Sequence, residues 1–118
     1  FKRFAKPSVG TSTGASADAV YTVPAGAGSS ALESIIIGIT LANKTSTGVT
    51  ASVFLDNEDG SNDVFIVKDA TVPAGSSLEI MAGNKLVVQN DGSNADVVRI
   101  SCGTGSALDA IVTVLEDV

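Results

Sequence analysis

The stretch Leu32-Glu33-Ser34-Ile35-Ile36-Ile37-Gly38-Ile39-Thr40-Leu41-Ala42-Asn43 decides the fold class of this 118-residue chain. Its β-branched residues lose side-chain freedom in a helix and pack well on a pleated surface. Read with a period of two, Ile35, Ile37, Ile39 and Leu41 share one face of a strand. Ser34, Ile36, Gly38 and Thr40 share the other. The same period continues outward from this segment. Residues 18–23 predict a strand stopped by Pro24 and Gly26. Residues 49–56 predict another, with Val49, Ala51, Val53 and Leu55 inward and Thr50, Ser52 and Phe54 outward. Further strands are expected over 64–68, 78–81, 85–89, 96–102 and 108–116. The 85–89 and 96–102 runs should pair as a hairpin across Asn90 to Asn94, because Asp91-Gly92 suits the positive-φ positions of a tight turn. No helical period is sustained. The expectation is an all-β chain: a single β-sandwich of about eight strands, Ig-like or jelly-roll in connectivity.

Two strings recur. Thr-Val-Pro-Ala-Gly occupies Thr22 to Gly26 and Thr71 to Gly75, and Asp-Gly-Ser-Asn occupies Asp59 to Asn62 and Asp91 to Asn94. An internal duplication would hold their separation constant, but it is 37 positions in the first half and 20 in the second. They read as recurrent turn solutions, with proline setting φ and glycine accepting a left-handed conformation.

Residues 1–17 differ from the rest. A basic tip with two phenylalanines leads into Pro7 and a Thr/Ser/Gly/Ala tract, too poor in apolar residues to fold alone. The division expected is an extended N-terminal arm over 1–17 and a sandwich domain over 18–118. Phe1, Lys2, Arg3, Phe4 and Lys6 are the candidate partner-binding residues, docking the arm on the acidic surface of a neighbouring subunit; the competing reading is a frayed terminus. Lys2, Arg3 and Lys6 are three of only seven basic residues; the remainder of the chain carries four basic and 13 acidic side chains. Such a body repels nucleic acid, whose affinity rests on phosphate neutralisation, so no nucleic-acid partner is expected. No membrane is expected either. The N-terminus has no apolar leader, and the longest aliphatic stretch, Ile35 to Ile37, is far short of a spanning helix. Charged residues make up 17% of the chain and the mean hydropathy is +0.34. A surface so sparsely charged points to burial against partners.

Catalytic equipment is scarce. Without histidine, neither a Ser-His-Asp nor a Cys-His arrangement can form within the chain, and zinc sites of the usual kind are excluded. No glycine-rich phosphate loop is present, and the single Cys102 fits a buried core thiol. The expectation is a protein that is not an enzyme and has no cofactor. The acidic run from Asp56 to Asp63 supplies a calcium candidate in Asp56, Glu58, Asp59 and Asp63. Its spacing is not that of an EF-hand, and the competing reading is a solvated hairpin loop. Arg99, Glu33 and Glu79 are expected to face water.

The strings Val20 to Gly26, Ile37 to Asn43 and Ile66 to Leu78, with the closing Val112-Thr113-Val114-Leu115-Glu116, resemble a family of small virion structural proteins of tailed bacteriophages, notably those of marine cyanobacteria. The resemblance covers roughly residues 19–116. It implies a β-sandwich present in many copies on a virion, with no catalytic residues to carry over. A capsid decoration or cement protein binding across capsid subunits is the role expected, with the major capsid protein or other virion proteins as partners. A homo-oligomer such as a trimeric ring is also expected. Alternatives are a neck, tail or fibre-base protein, and a carbohydrate- or host-surface-binding sandwich. Tyr21 as the only tyrosine, with no tryptophan, counts against the last.

Overall fold

A computed structural model describes residues 1–56, 63–81 and 83–116. Among them are nine strands: β1 (Lys2–Lys6), β2 (Asp18–Thr22), β3 (Leu32–Asn43), β4 (Val49–Asp56), β5 (Asp63–Val72), β6 (Ser77–Glu79), β7 (Leu86–Asn90), β8 (Val97–Cys102) and β9 (Leu108–Glu116). They form two antiparallel sheets packed face to face, a β-sandwich. One sheet has the order β1-β9-β3-β6, with β7 on the same edge of β3 as β6; the other has the order β2-β8-β4-β5. Pairing is nested: β1 with β9, β2 with β8, β3 with β6 and β7, β4 with β5. The core lies between the sheets, built from Ile36, Ile39 and Leu41 of β3, Val53 of β4, Ile100 of β8 and Val112 of β9, all fully buried. Burying each such side chain contributes about 1.5–3 kcal/mol.

The longest strand departs from simple alternation. Ser34 and Ile36 point inward, but so do Ile39, Leu41 and Asn43, while Ile35 and Ile37 are only half-buried. The cause is a β-bulge. Ile36 opposes Val114 and Gly38 opposes Thr113, so Ile37 is an extra residue without a partner on β9. One extra residue shifts every later side chain to the other face. The expected inward face therefore holds at Ile39 and Leu41 and fails at Ile35 and Ile37. The opposite edge of β3 accommodates the same irregularity: β7 pairs with Leu32 to Ile36 and β6 with Thr40 to Ala42. Between them the Glu79 carboxylate accepts hydrogen bonds from Ile39 N (3.1 Å) and Thr40 Oγ1 (2.7 Å). Glu79 is thus a ladder substitute, not a free surface charge. Burial opposes its ionisation, but the bonds from Thr40, Ile39 and Met81 outweigh it and hold the carboxyl below its ordinary value.

The expected hairpin across Asn90 to Asn94 divides between the sheets. It begins as a hairpin, with an Asn90–Ala95 bridge and Asp96 N donating to Gln89 O at 2.9 Å. The Asp96 carboxylate then takes the next ladder position, accepting from Gln89 N at 2.9 Å. Beyond it β7 joins β3 and β8 joins β4 and β2. Gly92 sits in this corner at φ 101°, where a Cβ would collide with the Ser29 carbonyl oxygen. The two identical pentapeptides also diverge. Gly75 is left-handed at φ 63° and closes a turn in which Ser76 N donates to Pro73 O. Gly26 instead has φ −72°, and the left-handed residues that follow it are Gly28 and Ser29.

Residues 1–17, expected as an extended arm, lie on their own chain. β1 pairs with β9 over five residues, from Lys2 opposite Val114 to Lys6 opposite Ala110. Val9 is fully buried, its N–H donating to Leu108 O at 2.8 Å. The composition is too polar to fold alone, but it needs only to complete a sheet edge that β9 already presents.

Candidate functional site

The five N-terminal candidates separate into two groups. Lys2, Phe4 and Lys6 find partners within the chain. Phe4 packs on Tyr21, ring centroids 4.8 Å apart and tilted by 47°. Lys2 Nζ lies 2.7 Å from Glu116 Oε1, and Lys6 Nζ lies 4.0 Å from Asp18. Phe1, 87% exposed, and Arg3 remain open to solvent. The Lys2 contact heads a polar chain running into the core. Tyr21 OH donates to Glu116 Oε2 at 2.7 Å and shares a 2.9 Å hydrogen bond with Ser34 Oγ, which is fully buried. The Lys2 ammonium and the Tyr21 hydroxyl hold the Glu116 carboxyl below its ordinary value against the effect of burial. Burial, reinforced by Glu116, pushes the Tyr21 phenol well above its ordinary range, whereas the bond to Ser34 favours ionisation. A second tie repeats the design. Asp109 accepts from Ser8 N at 2.8 Å and from Lys44 Nζ at 3.0 Å, and these bonds lower its pKa.

The calcium candidate is only partly in view. Glu58 and Asp59 lie outside the described residues. Asp56 is committed elsewhere: its Oδ2 accepts from Arg99 Nε at 3.0 Å, and Arg99 Nη1 donates to Ala17 O at 2.9 Å. Arg99, expected to be solvated, is therefore part of a mostly buried pair, its side chain 18% exposed. Asp63 is exposed, opposite Asp56 in the β4–β5 ladder. Among the described residues no group of three or more His, Cys, Asp or Glu side chains is placed to hold a metal ion.

Sequence reasoning missed a cleft of about 480 Å³ on the outer face of the four-stranded sheet. Phe54 of β4 and Phe65 of β5 are cross-strand partners, 5.3 Å between centroids, and form its apolar side. Phe54, expected outward, does point outward but is 2% exposed. Lys68 Nζ lies 5.2 Å from the Phe65 centroid and 3.6 Å from Asp69. A bulge sets this rim: Lys68 and Asp69 together oppose Ser52, and Asp69 adopts φ 51°. Ser52 Oγ accepts from Asp69 N at 3.0 Å, holding the left-handed conformation in place. Thr50 and Ser101 add hydroxyls, and Thr11 and Thr13 overhang from the segment after β1. The cleft presents an aromatic wall, hydroxyls and one charge of each sign. The Cys102 thiol at its margin is pushed up by burial, and its single S–H faces the carbonyl oxygens of Thr104 at 2.9 Å and Val9 at 3.2 Å, the nearer being its best acceptor. The legible signal was the pair of phenylalanines at outward positions of adjacent strands.

No protein-family model matches the chain, and no match is found among curated proteins.

Proposed function

We propose that this chain is a structural protein of a tailed-bacteriophage virion, a capsid decoration or cement protein that binds across capsid subunits. The observation that carries the reading is the nested pairing of strands, first with last and second with next to last, closed by the β9–β3 and β8–β4 contacts. We infer from it jelly-roll connectivity, since the Ig-like sheet orders A-B-E-D and C-F-G do not pair the first strand with the last. The jelly roll recurs in viral capsid proteins, and the residue strings that resemble phage virion proteins supply the second support. The fold alone would not suffice, since one architecture hosts many functions. A sparsely charged surface and exposed apolar side chains at Val64, Phe65, Val87 and Ile111 suit a protein that is covered by neighbours in its working state. Its partners are the major capsid protein or other virion proteins, its place is the virion, and it works as a homo-oligomer. The test is cryo-electron microscopy of particles assembled with and without the chain. Density across capsid subunit boundaries, with greater thermal stability of the decorated shell, supports the reading. Purified virions that lack the chain sink it.

The outer cleft favours a second reading, a module that binds a surface glycan through Phe65, Lys68 and Asp69. A glycan array with binding abolished by Asp69→Asn would favour it. An array without specific binding would dismiss it.

A further inference from the structure

The outer face of the five-stranded sheet carries an apolar row where a solvated sandwich face would carry polar side chains. Val87 of β7, Ile35 of β3 and Leu115 of β9 are consecutive cross-strand partners, so their side chains stand in line on one face. Val87 is 60% exposed, and Ile35 and Leu115 are half-buried; Ile37, pushed outward by the bulge, lies beside them. Arg3 and Glu33 flank the row, and the exposed Lys85 precedes Val87 by two residues. Arg3 pairs with Thr113, two residues along β9 from Leu115; Glu33 lies two residues along β3 from Ile35, the partner of Leu115, in the opposite direction. Arg3 and Glu33 are thus displaced equally and oppositely from Leu115, each by one strand and one pleat repeat. Both are exposed, and neither makes an ion pair among the described residues.

We infer that this face is a two-fold interface between two copies of the chain, centred on Leu115, with Arg3 of each copy paired to Glu33 of the partner subunit. A rotation axis lying in the interface through Leu115 exchanges the Arg3 and Glu33 positions, so one operation forms both ion pairs. A self-complementary patch of this kind is what an isologous contact requires. Charge complementarity selects a second copy as the occupant: a purely acidic or basic partner would satisfy one of the two charges and oppose the other. The apolar row supplies the water-excluding centre and the ion pairs supply register. The symmetry is two-fold, in place of the three-fold ring expected from sequence, and the inference stands apart from the virion reading.

Sedimentation velocity of the full chain, from about 1 µM to about 1 mM, tests it across the range where modest interfaces associate. The wild-type chain should dimerise. Arg3→Glu and Glu33→Arg should each weaken the dimer at least about tenfold, because each variant converts two attractions into two repulsions. The combined R3E/E33R chain should recover wild-type affinity to within about threefold, since it restores both pairs with signs reversed. Val87→Glu should give a folded monomer, with its thermal melt confirming the fold. A wild-type chain that stays monomeric, a trimer, single reversals that associate like wild type, or a double reversal that fails to recover would each overturn the inference.

Discussion

Replacing Tyr21 by Phe removes one oxygen atom and tests whether the polar chain behind Lys2 stabilises the sandwich. Two hydrogen bonds are lost: the 2.7 Å bond to the Glu116 carboxylate and the 2.9 Å bond to Ser34 Oγ. A hydrogen bond to a charged acceptor contributes about 1.5–3 kcal/mol, and a buried hydroxyl left without its partner costs about 1–3 kcal/mol. Relief of the buried phenol's own desolvation returns part of this, leaving a net destabilisation of about 2–3 kcal/mol. For a chain of this length the unfolding entropy converts each kcal/mol into roughly 4 °C, so the melting temperature should fall by roughly 10 °C. The assay is differential scanning calorimetry or far-ultraviolet circular dichroism, because the variant has neither tyrosine nor tryptophan left to report by fluorescence. Ser34→Ala should be destabilising too. The double variant should cost less than the sum, since the first substitution already breaks the shared bond. A Tyr21→Phe chain melting within about 2 °C of wild type would refute the reasoning. So would strict additivity of the two substitutions.

Four further outcomes follow from the same geometry. Tyr21 is the only tyrosine, so absorbance titration reads it alone; the native chain should show no phenolate near pH 10 and ionise only well above it. Its folded pKa is raised, so the stability it contributes is full below the unfolded value of about 10 and is lost as pH rises through the folded value. At the acid end, Glu116 and Asp109 have lowered folded pKa values, so their contribution is present above the ordinary values of 4.5 and 3.8 and is lost as pH falls through the folded ones. Hydrogen exchange at low pH should therefore loosen β1 first, and uniform loosening of all strands would contradict this. Gly92→Ala should destabilise by about 2–4 kcal/mol in chemical denaturation, combining left-handed strain with a clash against the Ser29 backbone; an unchanged midpoint would contradict it. Ile36→Ala should cost about 2–5 kcal/mol and Ile35→Ala under about 1.5 kcal/mol when both are measured as monomers, and the reverse order would remove the bulge at Ile37.

The cleft and the polar chain were only partly legible. Phe54 and Phe65 alternate outward on strands that a reader of the sequence can pair, but their cross-strand contact depends on an extra residue, Ile66, in β5. The Lys2–Glu116–Tyr21–Ser34 chain joins residues from four strands across two sheets. No local spacing announces such a contact, because it arises from which strand closes which sheet edge. Arg99 likewise looked solvated on alternation alone, and only the β4–β8 pairing brings it to Asp56.

By itself the sequence determined the all-β class, most of the strand positions and the places where the chain turns. These follow from side-chain period and from proline and glycine, which act over a few neighbouring residues. The tertiary structure decided the rest. It set the phase of β3, because a single bulged residue inverts the faces at no cost visible in composition. It split the expected hairpin at Asn90 between two sheets, because the Asp96 carboxylate replaces a ladder bond there. It also laid the N-terminal segment against β9, where an unpaired strand edge satisfies backbone groups that the segment could not satisfy alone.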